Sequence, residues 1–153
     1  MFHRLLVPVD LTPKNRRAVE VARDLALQSG GEVHLLHVIE TLDLPFEELA
    51  DFYARLERQA TRKLTPFAAL LDEAGVSAVA HIRYGKRAET VLEFATEHDV
   101  DLIILDSHRI VPGEVGKGLG TISYRVAIVA PCPVLLVKGG SRSLDHTPRG
   151  DPT

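Results

Sequence analysis

The chain has 153 residues and one cysteine; 45% of its residues are apolar and 25% are charged. These values are ordinary for a single globular domain with a full hydrophobic core. The net charge of −3 gives no electrostatic reason to bind nucleic acid or an anionic membrane, and no segment has the apolar length of a transmembrane helix. A strand-like run at residue 4 leaves no room for a signal peptide, and a lone cysteine suits a reducing compartment, so we expect a cytoplasmic protein.

Five short apolar runs predict β-strands, and segments of helical periodicity separate them. The runs cover residues 4–10, 32–40, 76–84, 101–106 and 133–138. Strands that alternate with helices imply right-handed crossovers and a parallel sheet, which is an α/β fold. Residues 140–153 are polar, rich in glycine and proline and without periodicity. They predict a disordered tail after one domain of residues 1–139.

The helical segments carry their own start and stop signals. Thr12 is placed to cap the first helix, Pro13 suits its first position, and the glycines at 30–31 end it. In the second helical segment, Pro66 either kinks one long helix or begins a further helix that Thr65 caps. A third helix follows the third strand, and a short fourth helix precedes the last strand.

Two of the predicted strands end in aspartate. Asp10 closes the first strand and Asp106 closes the fourth. Parallel sheets bind ligands beyond the carboxyl ends of their strands, where the strand order reverses. If the first and fourth strands are neighbours, both carboxylates flank one crevice and the glycine-rich stretch 109–121 lies above it. The functional site is expected there.

Histidine, serine and cysteine form no recognisable catalytic or metal-binding pattern. His34 and His37 lie three apart in a strand, so their side chains face opposite sides of the sheet and cannot pair as ligands. His37 is predicted to be half-buried and hydrogen-bonded, whereas His81 and His98 are predicted to face solvent. No His–Asp arrangement can be argued around Cys132. We therefore predict no catalytic residue and no metal ligand.

Four stretches, in this order, resemble the universal stress protein family: LLVPVDLTPKNRRAVEVARDLA, VHLLHVIE, YGKRAETVLEFATEHDVDLIIL and GTISYRVAIVAPCPVLLVK. Each is weak alone, but their joint order and spacing up to about Lys138 are specific. The resemblance implies a Rossmann-like three-layer sandwich with a five-stranded parallel sheet flanked by helices. It also implies a homodimer formed through the last strand, from Pro133 to Lys138. The implied role is regulation of stress resistance, with slow ATP hydrolysis at most.

One branch of that family binds ATP through a loop with a fixed glycine pattern, and another branch lacks the pattern. Gly120-Thr121 matches the close of the pattern, but Asp106 and Arg109 occupy its two earlier glycine positions and the loop is one residue too long. A side chain at those positions obstructs the close backbone approach that a phosphate needs. The resemblance therefore implies a degenerate crevice with weak or no ATP binding. The alternative is a rearranged glycine loop that binds ATP, with Mg²⁺, or AMP.

The candidate nucleotide-binding residues lie at the strand ends, in the glycine-rich stretch and at the start of the last helix. The resemblance places Asp10 near the adenine and ribose, while the sequence alone equally predicts that Asp10 orders the turn with Thr12. No nucleic-acid or membrane partner is expected. The candidates are Pro8, Val9, Asp10, Val38, Leu105, Asp106, Arg109, Gly116, Lys117, Gly118, Gly120, Thr121, Ile122 and Ser123.

Overall fold

A computed structural model describes residues 1–107 and 121–138 of the chain. The strands are β1 (Arg4–Pro8), β2 (Glu32–Glu40), β3 (Ala78–Gly85), β4 (Leu102–Ser107) and β5 (Val134–Lys138). The helices are α1 (Asn15–Ser29), α2 (Ala50–Glu73), α3 (Arg87–Glu97) and α4 (Ile122–Val129), and a short 3-10 turn (Phe46–Leu49) precedes α2. The predicted tail, residues 140–153, lies outside the described residues.

The five strands form one parallel sheet in the order β3-β2-β1-β4-β5. The predicted α/β, Rossmann-like fold is thereby confirmed, and β1 and β4 are neighbours as the site hypothesis required. Side chains alternate across β1, so that Leu5 and Val7 pack against α1 and α2 while Leu6 packs against α3 and α4. Burial on both faces explains why the central strands read as continuous apolar runs.

The start of α1 differs from its prediction. The helix begins at Asn15, so Thr12 does not cap it and Pro13 does not occupy its first position, contrary to the prediction. Both the backbone N–H and the hydroxyl of Thr12 donate to the Asp10 carboxylate instead, at 3.0 and 2.7 Å. The aspartate therefore holds Thr12 in a turn before the helix. The end of α1 is confirmed, because Gly30 has a φ of 70° and its N–H donates to the carbonyl of Ala26.

Pro66 lies inside α2, which continues from Ala50 to Glu73 as one helix. The alternative of a second helix capped by Thr65 is therefore wrong. The Thr65 hydroxyl donates back to the carbonyl of Thr61 at 2.9 Å, within the same helix. Among the described residues, this longest helix and the others all lack the run of apolar residues that would let a helix cross a membrane.

Candidate functional site

A crevice of about 200 Å³ opens beyond the carboxyl ends of β1 and β4. It forms because α1 follows β1 on one face of the sheet while α3 and α4 cover the other face. Asp10 and Asp106 both line it, as predicted. The lining residues that the sequence had singled out are Pro8, Val9, Asp10, Val38, Leu105, Asp106, Thr121, Ile122 and Ser123.

The Asp10 carboxylate shapes the turn that forms one wall of the crevice. Its Oδ1 accepts both hydrogen bonds from Thr12, which is the structural role that the sequence predicted. Burial, the largest single influence, raises the pKa of Asp10. The Thr12 bonds and the positive charges of Arg87 and Lys14 outweigh burial and hold this pKa below its ordinary value. Asp10 is therefore ionised at neutral pH.

The start of α4 forms the opposite wall. The Thr121 side chain caps the helix by accepting from the N–H of Tyr124 at 3.2 Å. The Ser123 hydroxyl donates to the carbonyl of Asp106 at 3.0 Å and ties the helix to the end of β4. The first N–H groups of a helix have no acceptor within the helix, so this wall is suited to an anionic group.

Sequence reasoning missed five residues that also line the crevice: Lys14, Asn15, Leu36, Arg87 and Val91. Lys14 and Arg87 bring two cations to a site that already holds two aspartates. Arg87 begins α3, far from Asp10 in sequence, and no pattern around it signals a ligand site. The position of Lys14 immediately after the predicted turn was the one usable sequence signal.

Asn15 is the most buried polar residue of the crevice. It is 2% exposed, and its Oδ1 has no hydrogen-bond partner within the described part of the chain. A buried amide oxygen without a donor is uncommon in folded proteins. This enclosed oxygen therefore has hydrogen-bonding capacity that no described residue uses.

Five predicted site residues belong to the glycine-rich stretch 109–121. Arg109, Gly116, Lys117, Gly118 and Gly120 lie outside the described residues. The roles that the sequence assigned to them remain predictions.

His37 lies beside the crevice, in an adjoining cavity of about 240 Å³ that Asp10, Lys63 and Arg87 also line. Its Nδ1 donates to the carbonyl of Val9 at 2.9 Å, which confirms the half-buried, hydrogen-bonded histidine that the sequence predicted. Burial lowers the pKa of His37, and the bond to the Val9 carbonyl opposes burial only in part. A neutral His37 thus fixes the end of β1.

His34, His81 and His98 pack together on the sheet face opposite His37, so the prediction that His81 and His98 face solvent is wrong. One ring nitrogen of His34 hydrogen-bonds to His81 at 2.9 Å, and the other bonds to Glu32 at 3.0 Å. The ring of His98 stacks on Phe94 at 3.9 Å between centroids. Within residues 1–107 and 121–138, no group of three or more His, Cys, Asp or Glu side chains is arranged to hold a metal ion.

The environment of His81 predicts a pH-dependent stability. Burial, followed by the nearby His34, His98 and Arg83, lowers the pKa of His81 from 6.5 to about 4. The native state favours the neutral ring of His81. Its contribution to the free energy of unfolding is therefore complete above about pH 6.5 and is lost as the pH falls towards about 4.

Urea unfolding across that pH range should show the free energy of unfolding of His81→Gln falling less steeply than that of the wild type. His3→Gln, which changes an exposed histidine, is the matched control and should keep the wild-type slope. Equal slopes for His81→Gln and the wild type would contradict the lowered pKa of His81 in the native state.

Cys132 is half-buried between two prolines. Burial, with the nearby Asp101 carboxylate, raises the pKa of its thiol. A thiol that stays protonated is a poor nucleophile, so the structure supplies no activation for this cysteine.

The strand order and the position of the crevice define a Rossmann-like α/β protein with an open crevice at the switch point of its sheet. The model of the universal stress protein family matches residues 1–138. A universal stress protein of Thermus aquaticus, named for its gene's position in the QAH/OAS sulfhydrylase 3' region, is 33% identical over 144 residues; the match covers 90% of this chain and all of that protein. The chain therefore belongs to the universal stress protein family.

Solved structures share this fold. The hypothetical protein MJ0577 superimposes with a TM-score of 0.77 at 25% identity, covering 92% of this chain and 99% of its own. Two more distant proteins share the fold, and both were solved with a nucleotide. A universal stress protein in complex with cAMP has a TM-score of 0.66 at 21% identity, covering 90% and 97% of the two chains. One from Archaeoglobus fulgidus in complex with dAMP has a TM-score of 0.67 at 18% identity, covering 90% and 98%.

Proposed function

We propose that this chain is a regulatory universal stress protein whose crevice binds an adenine mononucleotide, and binds ATP weakly or not at all. The observation that carries the proposal is the crevice itself, where Asp10, Arg87 and the start of α4 converge on one opening. Two proteins of the same fold were solved with cAMP and dAMP, which makes an adenine mononucleotide the first ligand to test.

The walls of the crevice supply the contacts that a nucleotide uses. Apolar side chains suit a base, the ionised Asp10 can accept from ribose hydroxyls, and Arg87 with the start of α4 can hold one phosphate. The apolar lining residues are Leu36, Val38, Val91, Leu105 and Ile122.

A triphosphate is a poorer fit because the loop that relatives use for it is altered in sequence. Asp106 and Arg109 replace two glycines, and a carboxylate at residue 106 repels a polyphosphate unless a cation lies between them. The alternative, ATP bound with Mg²⁺ by a rearranged loop, requires that the cation offset this repulsion.

We also propose that the role is regulatory rather than catalytic. The titratable residues that line the crevice, within the described part of the chain, are Asp10, Lys14, Arg87 and Asp106. Histidine and cysteine are absent from that lining, so proton transfer would depend on the two aspartates. Any hydrolysis of ATP should therefore be slow.

The homodimer is the third part of the proposal. β5 pairs with β4 on one side and is the last strand in the sheet order. Leu135 within β5 is exposed, and so are Ile128 and Val129 at the end of α4. An edge strand next to exposed apolar side chains favours pairing with a second copy of the chain.

Isothermal titration of the purified protein with AMP and with ATP, each with and without Mg²⁺, tests the nucleotide assignment. We expect AMP to bind more tightly than ATP, and Arg87→Ala to weaken AMP binding about tenfold because it removes a charged partner of the phosphate. Arg55→Ala, on the exposed surface of α2, is the matched control and should bind AMP as the wild type does.

Three results would each contradict one part of the proposed nucleotide binding. No AMP binding at millimolar concentration would reject the mononucleotide. Tighter binding of ATP with Mg²⁺ than of AMP would favour the rearranged loop. Equal affinities for Arg87→Ala and Arg55→Ala would remove Arg87 from the site.

A further inference from the structure

The segment between β2 and α2 exposes an apolar surface away from the crevice lining. Leu42, Leu44, Phe46 and Phe52 are between 40% and 56% exposed. These four side chains are named the 42–52 patch. Single exposed apolar residues are common, but four within eleven positions of one connection and helix start are not.

The patch is anchored to the core through Tyr53, which is 1% exposed. The Tyr53 hydroxyl accepts from the N–H of Leu42 at 2.9 Å. The rings of Phe46 and Phe52 lie 5.2 and 5.8 Å from the Tyr53 ring, centroid to centroid. Tyr84 adds an edge contact to Phe46 and donates to the Glu57 carboxylate at 2.5 Å. The two aromatic side chains of the patch, Phe46 and Phe52, therefore pack on a buried ring before any partner binds, which lowers the entropy cost of binding.

The patch lies in a strongly acidic part of the chain. Four exposed carboxylates lie within it or beside it, and no lysine or arginine occurs between Arg23 and Arg55. Within the described residues, none of the four carboxylates forms an ion pair. They belong to Asp43, Glu47, Glu48 and Asp51.

We propose that the 42–52 patch is a docking surface for a protein segment that carries apolar side chains together with lysine or arginine. Phe46 and its apolar neighbours supply the buried contact, as aromatic residues do at the centre of interfaces. The surrounding carboxylates select a cationic partner and exclude an anionic one. A second copy of this chain is a poor occupant, because two acidic patches would repel each other.

Titration of the full chain with a synthetic amphipathic peptide of leucine and lysine tests the surface. A peptide of the same pattern with glutamate in place of lysine is the charge control. We expect the lysine peptide to bind, the glutamate peptide not to bind, and added salt to weaken the complex. In the double variant Leu44→Ser, Phe46→Ser, binding should fall at least about tenfold, because the apolar centre is lost.

Leu27→Ser is the matched control, because Leu27 on α1 is as exposed as Leu44, at 54% against 55%. It should leave the affinity unchanged. Leu44→Ser alone serves if the double variant fails to fold, and circular dichroism checks each variant. Glu47→Gln with Glu48→Gln should reduce both the affinity and its dependence on salt.

The proposal is overturned if the lysine peptide does not bind at millimolar concentration, or if it binds the patch variants as well as the wild type. Self-association of the chain that Leu44→Ser and Phe46→Ser abolish in sedimentation would also overturn it, because the occupant would then be a second copy.

Discussion

Phe94→Ala should lower the free energy of unfolding by about 3–5 kcal/mol, the range for removing a fully buried phenylalanine. Phe94 is 2% exposed and fills the space between α3 and the sheet. Its ring stacks on His98 and meets the edge of His81 at 4.7 Å between centroids. Alanine would leave a cavity and remove both ring contacts at once. Urea unfolding at pH 7 measures the loss.

Phe52→Ala provides the matched control, since Phe52 is 40% exposed. Its cost should stay below about 1 kcal/mol, because a surface side chain leaves no cavity. Similar losses for the two variants would contradict the burial of Phe94. Phe94→Ala should also raise the pKa of His81 towards its ordinary value, since it admits water beside the ring. NMR titration of the histidine ring protons would detect that change.

The second large effect concerns the proposed homodimer. Ile128→Glu combined with Leu135→Glu should convert a dimer into a monomer and weaken association at least about a hundredfold, because it places unpaired carboxylates in an apolar interface. Sedimentation velocity over a range of protein concentrations measures the association. The isolated change at either position should have a smaller effect in the same direction.

Val79→Glu is the control for this experiment. Val79 is an exposed apolar residue of β3, the strand at the opposite end of the sheet order. The variant should remain a dimer. If Val79→Glu dissociates the dimer and the Ile128→Glu, Leu135→Glu double variant does not, the interface lies at the β3 edge of the sheet. A wild-type chain that stays monomeric at high concentration would contradict the dimer itself.

The sheet was predictable because its signals are local. Short apolar runs identified four strands, an alternating pattern identified the third, and the alternation of strands with helices identified a parallel sheet. The start of α1 was not predictable in the same way, because two local signals compete there. Thr12 can cap a helix or hydrogen-bond to Asp10. In the folded turn, the Thr12 N–H and hydroxyl donate to the Asp10 carboxylate.

The residues of the candidate site also differ in whether local signals could identify them. Asp10 and Asp106 were identified from the sequence, since the rule that ligands bind beyond strand ends needs only the strand ends. Asn15 and Arg87 were missed, because their place in the crevice depends on how α1 and α3 pack. His81 was misjudged for a related reason. Its strand shows an alternating pattern, but the neighbours that cover it are Phe94 in α3 and His98 directly after that helix.

The sequence by itself determined the fold class, the family and the end of the sheet where ligands bind, because apolar periodicity and motif order are properties of neighbouring residues. The tertiary structure alone decided which distant side chains share an environment. It brought the cation of Arg87 to Asp10, joined His34 to His81, and assembled the 42–52 patch around Tyr53. The His34–His81 contact arises from the pairing of β2 with β3, and the other contacts arise from the packing of helices on the sheet. Periodicity along the chain encodes neither.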